Sequence, residues 1–90
     1  MAGRRREVDI VHGILSFLEG SERGVWEIVN ANCLSTEMWG RYRARMLEAG
    51  LIREGGFGPR GRRIEITERG RKLLAITREY LSILRPPGSP

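Results

Sequence analysis

Apolar positions along the chain keep helical spacing at first, drop to a period of two near the middle, and return to helical spacing at the end. Val8, Val11, Leu15 and Leu18, with Ile14 beside them, follow a three-four-three pattern and predict a first helix from about Arg5 to Glu19. Glu7 and Asp9 stand in its first turn, where the helix dipole favours anions. The segment Gly20-Ser21-Glu22-Arg23-Gly24 reads as a loop. Val25, Ile28 and Val29 give a short second helix, about Val25 to Asn32, one apolar edge. Asn32-Cys33-Leu34 then breaks the pattern, with Leu34 as a buried plug in the turn. Ser35 is a good N-cap for a third helix that runs to about Ala49, and Gly50 supplies its stop. Trp39, Tyr42, Met46 and Leu47 mark its inward face. Thr36, Glu37, Gly40, Arg41, Ala44, Arg45 and Glu48 mark the opposite one.

The period then changes. Leu51 to Glu54 is expected as a short strand, and Arg63 to Thr67 as a second, with Ile64 and Ile66 inward and Arg63 and Glu65 outward. Between them, residues 55–62 hold four glycines and a proline, a composition that predicts an irregular loop closing a long hairpin. The last helix starts near Thr67, another N-cap type, and ends at about Leu84 before Pro86 and Pro87. Leu73, Ile76, Tyr80 and Ile83 form one seam along it; Leu74, Thr77, Leu81 and Leu84 form a second. Two seams exceed what a thin core can cover. These eight residues are therefore expected to form a dimer interface, with the last helices of two copies paired as a coiled coil. The expected organisation is a single domain over residues 1–85 and a disordered, proline-rich tail over 86–90.

Length and composition narrow the function. Ninety residues make one small domain that buries only about 60–65% of its unfolded surface, so a second subunit would help it. No apolar run approaches the roughly 20 residues of a membrane span. The expected location is cytoplasmic and nucleoid-associated. Cys33, His12 and Asp9 are the only residues of their types. That poverty excludes an internal disulfide and argues against a catalytic triad, a metal site or a cofactor. No small-molecule site is evident. Gly55-Gly56-Phe57-Gly58 lacks a following Lys-Ser/Thr and a helix directly after it, so it is not a nucleotide-binding loop. His12 reads as a packed or half-exposed structural residue and Cys33 as a small buried filler. Trp26 and Trp39 read as core or interface rather than base-stacking platforms.

Charge changes the picture more. The net charge is +5, with 16 Lys and Arg, all arginine except Lys72. Residues 7–37 carry six acids against Arg23, whereas residues 38–72 carry ten cations against four acids. An acidic front and a basic middle describe a two-faced object suited to a polyanion.

The order helix, helix, turn, helix, strand, glycine-rich loop, strand, helix is that of a helix-turn-helix followed by a wing. The expected fold is α+β and mainly α, a winged helix-turn-helix with a long dimerising C-terminal helix. In that arrangement the third helix enters the major groove and the wing reaches backbone or minor groove. Arg41 and Arg45 lie one turn apart, and Gly40 and Ala44 remove bulk beside them. Ser35, Thr36 and Glu37 at the helix start complete the candidate reading face. Arg60, Arg62 and Arg63, with Phe57 near the tip, are the candidate wing contacts. Arg4, Arg5 and Arg6 form a candidate N-terminal arm.

Three segments carry a family resemblance: Ile28-Val29 with Leu34-Ser35, the run Met46-Leu47-Glu48-Ala49-Gly50-Leu51-Ile52, and the run Ile66-Thr67-Glu68-Arg69-Gly70-Arg71-Lys72-Leu73-Leu74. Together they resemble small archaeal winged-helix DNA-binding proteins, a group of ArnR-like transcriptional regulators and dimeric ten-kilodalton chromatin proteins. The likeness spans about residues 5–84. It implies dimerisation through the last helix and double-stranded DNA as ligand. By position it implies Thr36, Glu37, Gly40 and Arg41 as groove readers and Arg60 and Arg62 as wing contacts. The expected function is sequence-specific DNA binding by a homodimeric transcription regulator without catalytic activity. The alternatives are an architectural chromatin protein with little sequence preference, and a winged helix used for protein–protein assembly.

Overall fold

The computed structural model describes residues 7–84, so the Arg4-Arg5-Arg6 arm and the segment 86–90 lie outside the described residues. The elements are α1 (Glu7–Leu18), β1 (Arg23–Gly24), α2 (Val25–Ala31), α3 (Thr36–Glu48), β2 (Ile52–Gly58), β3 (Gly61–Ile66) and α4 (Glu68–Leu84). The strands form one antiparallel sheet in the order β1-β3-β2. β1 falls inside the segment expected as a loop. Its two residues pair with Ile64 and Arg63 and close the free edge of β3.

One core lies where the helices meet the sheet. Ile10, Ile14, Leu15 and Leu18 of α1 meet Ile28, Leu34, Trp39, Met46, Ile52, Ile64, Ile66 and Leu74 there. The buried arc of α1 includes Ile10 and leaves Val8 and Val11 half-buried at its margin, a shift from the expected Val8–Val11 stripe. The cause is that α1 packs on α4 and β3 together, which centres its buried side on Ile14. The inward faces of α2 and α3 are as expected, with Ile28, Trp39 and Met46 buried.

The helix ends are set by side chains. Ser35 Oγ accepts a hydrogen bond from the Met38 N–H at 3.1 Å and starts α3. Leu34 plugs the turn, as expected, and donates its N–H to the Val29 carbonyl. Cys33 does not fill the core. It takes a φ of 54° in the turn, and that left-handed backbone directs its side chain outward, where it is exposed.

The two sequence runs after α3 meet in space. Gly50 ends α3 with a φ of 75°, a conformation that suits glycine. Its carbonyl accepts the Thr67 hydroxyl at 2.6 Å. The same Thr67 oxygen accepts the Gly70 N–H at 3.0 Å and caps α4. A Cβ on Gly70 would collide with the Leu51 carbonyl oxygen and stand 2.7 Å from Ile66 Cγ1. A glycine is therefore required where α4 crosses the start of β2. This joint fixes α4 against both the end of the third helix and the root of the hairpin.

The hairpin corrects an expectation. Residues 55–62 are not an irregular loop: β2 runs through Gly58, β3 begins at Gly61, and only Pro59-Arg60 turn between them. Two effects let a glycine-rich run pair as a strand. The register shift between Glu54 and Phe57 absorbs Gly55-Gly56 as a bulge. Arginines of β3 then lie across the side-chain-free surface of β2: Arg63 lies against Gly58, and Arg62 donates to the Gly55 carbonyl at 3.0 Å. The inward Ile64 and Ile66 and the outward Arg63 and Glu65 are as expected, and Glu65 pairs with Arg53 at 2.8 Å.

The seams of α4 separate. Leu74 and Thr77 are buried within the single chain, so they offer no surface to a second copy, contrary to their place in the expected interface. Thr77 donates to the Leu74 carbonyl and lies 2.8 Å from His12 Nδ1 on α1. His12 is thus the half-buried structural residue expected. Leu73 and Leu81 are half-buried, whereas Ile76, Tyr80, Ile83 and Leu84 are exposed. No helix among the described residues is long and apolar enough to cross a membrane. No group of three or more His, Cys, Asp or Glu among them is placed to hold a metal ion.

Candidate nucleic-acid interface

The outer face of α3 presents Thr36, Glu37, Gly40, Arg41, Ala44, Arg45 and Glu48, all exposed. Their order follows from the inward anchors: burying Trp39 and Met46 turns positions 37, 40, 41, 44 and 48 away from the core. Gly40 has open space where a Cβ would stand, so internal packing does not require a glycine there. Arg41 has no ion-pair or hydrogen-bond partner among the described residues. Arg45, one turn on, forms an ion pair with Glu7 at the start of α1. Arg43, at the flank, reaches Glu54 of β2 at 3.4 Å.

The wing carries the second group. Arg60 sits in the Pro59-Arg60 turn with its side chain exposed. Its carbonyl accepts the Trp26 N–H at 3.1 Å, which ties the turn to the start of α2. Phe57 is 76% exposed, and the Arg62 guanidinium lies over its ring at 4.3 Å from the centroid. That stack and the bond to Gly55 fix Arg62 in place, with no carboxylate paired to it among the described residues. Arg63 points to the opposite side of β3 and pairs with Glu22 at 2.9 Å. The structure thus brings Phe57 and Arg62 together, sets Arg60 beside them at the turn, and holds Arg63 apart.

Three further residues border these groups. Glu7 and Glu22 engage two of the candidate cations, and no local sequence pattern shows pairs 38 and 41 residues apart. Trp39 is core as expected, but Trp26 is 68% exposed. That signal was present: with Val25, Ile28 and Val29 on one edge of a helix, position 26 points about 100° away from it.

A domain model described as winged helix-turn-helix matches residues 4–85. The chain belongs to the winged helix-turn-helix family. Among solved structures it is similar to Sso10a-2, a DNA-binding protein from Sulfolobus solfataricus. The TM-score is 0.77 at 20% identity, over 88% of this chain and 81% of that one. It is also similar to a MarR-family transcriptional regulator from Silicibacter pomeroyi. That TM-score is 0.68 at 15% identity, over 90% of this chain and 59% of that one. No curated protein matches the chain. In this winged helix-turn-helix, α2 and α3 are the two helices of the motif and the β2–β3 hairpin is the wing, with β1 extending its sheet.

Proposed function

We propose that the protein is a homodimeric, double-stranded-DNA-binding transcription regulator without catalytic activity, acting in the cytoplasm at the nucleoid. The observation that carries the reading is the reading face of α3. Arg41, without a partner among the described residues, stands between the small Gly40 and Ala44, beside a wing whose Arg60 and Arg62 have no carboxylate partner among those residues. An arginine fork matches the O6 and N7 acceptors of guanine, and small neighbours let the helix approach the groove floor. Wing arginines on a bare backbone suit phosphate or minor-groove contact. The DNA-binding description of Sso10a-2 and the transcriptional role of the MarR-family neighbour point the same way.

The dimer rests on the outer seam of α4. Ile76, Tyr80, Ile83 and Leu84 form an exposed apolar stripe continuous with half-buried Leu73. Pairing two such stripes as a coiled coil covers them and brings two reading faces to one duplex. Ile76→Asp should leave the fold intact, since residue 76 is 63% exposed, and should shift sedimentation from dimer to monomer. A wild-type monomer at high micromolar concentration contradicts the dimer.

One observation favours a second reading, architectural binding with little sequence preference. Arg45 is held by Glu7, which leaves Arg41 as the one arginine on the reading face without a partner among the described residues. Binding to genomic fragments in the presence of excess random duplex, at stated salt, decides between the two. Enrichment of a shared sequence supports a regulator, and uniform recovery supports the architectural protein.

A further inference from the structure

We propose that the exposed indole of Trp26 and the cleft beside it seat the sugar–phosphate strand of duplex DNA that runs between the elements entering the grooves. The inference rests on the DNA-binding function proposed for the chain and adds to it a surface centred on α2, which meets the reading face at Thr36 and contains none of the wing arginines. The cleft has a volume of about 320 Å³ and is lined by Val25, Trp26, Val29, Asn30, Thr36 and Trp39. Its position follows from its two ends. At one end the Trp26 N–H is bonded to the Arg60 carbonyl, and a Cβ built on Gly61 would stand 3.3 Å from the Trp26 ring, so the indole rests on the wing turn. At the other end Thr36 is the first residue of α3. The cleft therefore spans the gap between the wing turn and the start of the reading helix.

Adjacent grooves of a duplex are separated by one sugar–phosphate strand. A surface that joins a groove-entering helix to a wing must face that strand. The chemistry of the cleft fits it. Deoxyribose presents a face of C–H groups, and an indole offers a broad apolar plate with a single N–H donor at its edge. The Thr36 hydroxyl and the Asn30 amide, both on exposed residues, add donors for phosphate oxygens. No carboxylate lines the cleft, and Arg60 stands next to it. Nor does any cation among the described residues line it, so it suits a sugar with its phosphate rather than a free anion. Because every nucleotide carries the same sugar and phosphate, this contact is blind to sequence.

The test uses the full chain and fluorescently labelled duplexes of two unrelated sequences. Trp26→Ala should weaken both equally, by about tenfold, as expected for loss of an aromatic anchor. The slope of log K against log salt should not change, since no cation is removed. Trp26→Phe should keep most of the affinity. In the wild type, acrylamide quenching of the exposed indole should fall as duplex saturates the protein. Affinity of Trp26→Ala within about twofold of wild type, alongside weakened Arg41→Ala and Arg60→Ala, overturns the strand seat and leaves DNA binding standing. A loss confined to one sequence also overturns it, because Trp26 would then read bases. If the wild type binds no duplex at low salt, both the seat and the DNA-binding reading fall. Should Trp26→Ala unfold, the wild-type quenching measurement decides: undiminished quenching with duplex bound overturns the proposal.

Discussion

Arg41 on the third helix and Arg60 at the wing turn project without a partner among the described residues, while their neighbours Arg45 and Arg63 are each held by a carboxylate from the front of the chain. The two regions hold their remaining side chains differently. On α3 the arginines stand one turn apart on a regular scaffold, flanked by Gly40 and Ala44, so their geometry comes from the helix itself. On the wing, geometry comes from contacts: Arg62 is fixed by the Phe57 ring and the Gly55 carbonyl. The helix is suited to placing one guanidinium at a defined base pair. The wing is suited to presenting charge to a backbone. The contrast also shows that counting arginines overstates the charge either region displays, because Glu7 and Glu22 offset part of it.

Gly70 lets α4 cross over Leu51, and that crossing sets the root of the wing relative to the end of α3. Gly70→Ala should destabilise the protein by about 1–3 kcal/mol, as overpacking does, and lower the denaturation midpoint. An unchanged midpoint would mean that the joint is looser than its geometry shows.

The next test separates the two arginines of the reading face. Arg41→Ala should cost about 1–3 kcal/mol on the preferred sequence and relax preference at one base pair. Arg45→Ala should cost less, since Arg45 must first leave Glu7. Equal losses on all sequences for Arg41→Ala would reassign it to phosphate contact and favour the architectural protein. A smaller effect sharpens the same point. Glu7→Gln should raise duplex affinity about twofold by freeing Arg45 and removing a repelling charge. Stability should move by less than about 1 kcal/mol, because the pair is solvent-exposed. Competition binding and thermal melts read the two quantities.

Much of this was legible in the sequence, for identifiable reasons. The helices, the Ser35 cap, the Gly50 stop and the inward isoleucines of β3 follow from local spacing and local hydrogen bonds, which a linear sequence displays. The Met46-to-Ile52 and Ile66-to-Leu74 runs were legible as a pair, and the structure gives the reason: Gly50 and Leu51 of the first and Thr67 and Gly70 of the second build one joint. What stayed hidden depended on partners distant in sequence. The glycine-rich segment read as a loop because its pairing with β3 and the covering by Arg62 and Arg63 lie across the hairpin. Cys33 read as buried because composition does not reveal a left-handed turn residue. The inner seam of α4 read as interface because the approach of α1 through His12 and Thr77 joins residues 65 apart.

The most direct test of the contrast between helix and wing is the salt dependence of duplex binding for wild type, Arg60→Ala/Arg62→Ala and Arg41→Ala. With about 6–10 phosphates neutralised by the proposed dimer, wild-type affinity should fall about 10³–10⁵-fold between 50 and 200 mM salt. The double wing variant should lower the slope by about one unit for each phosphate it no longer neutralises, hence by up to about four per dimer. It should weaken all sequences alike. Arg41→Ala should leave the slope nearly unchanged and lose discrimination instead. A wing variant with the wild-type slope, or an Arg41 variant that loses slope and keeps its preference, would contradict the division of labour between wing and helix.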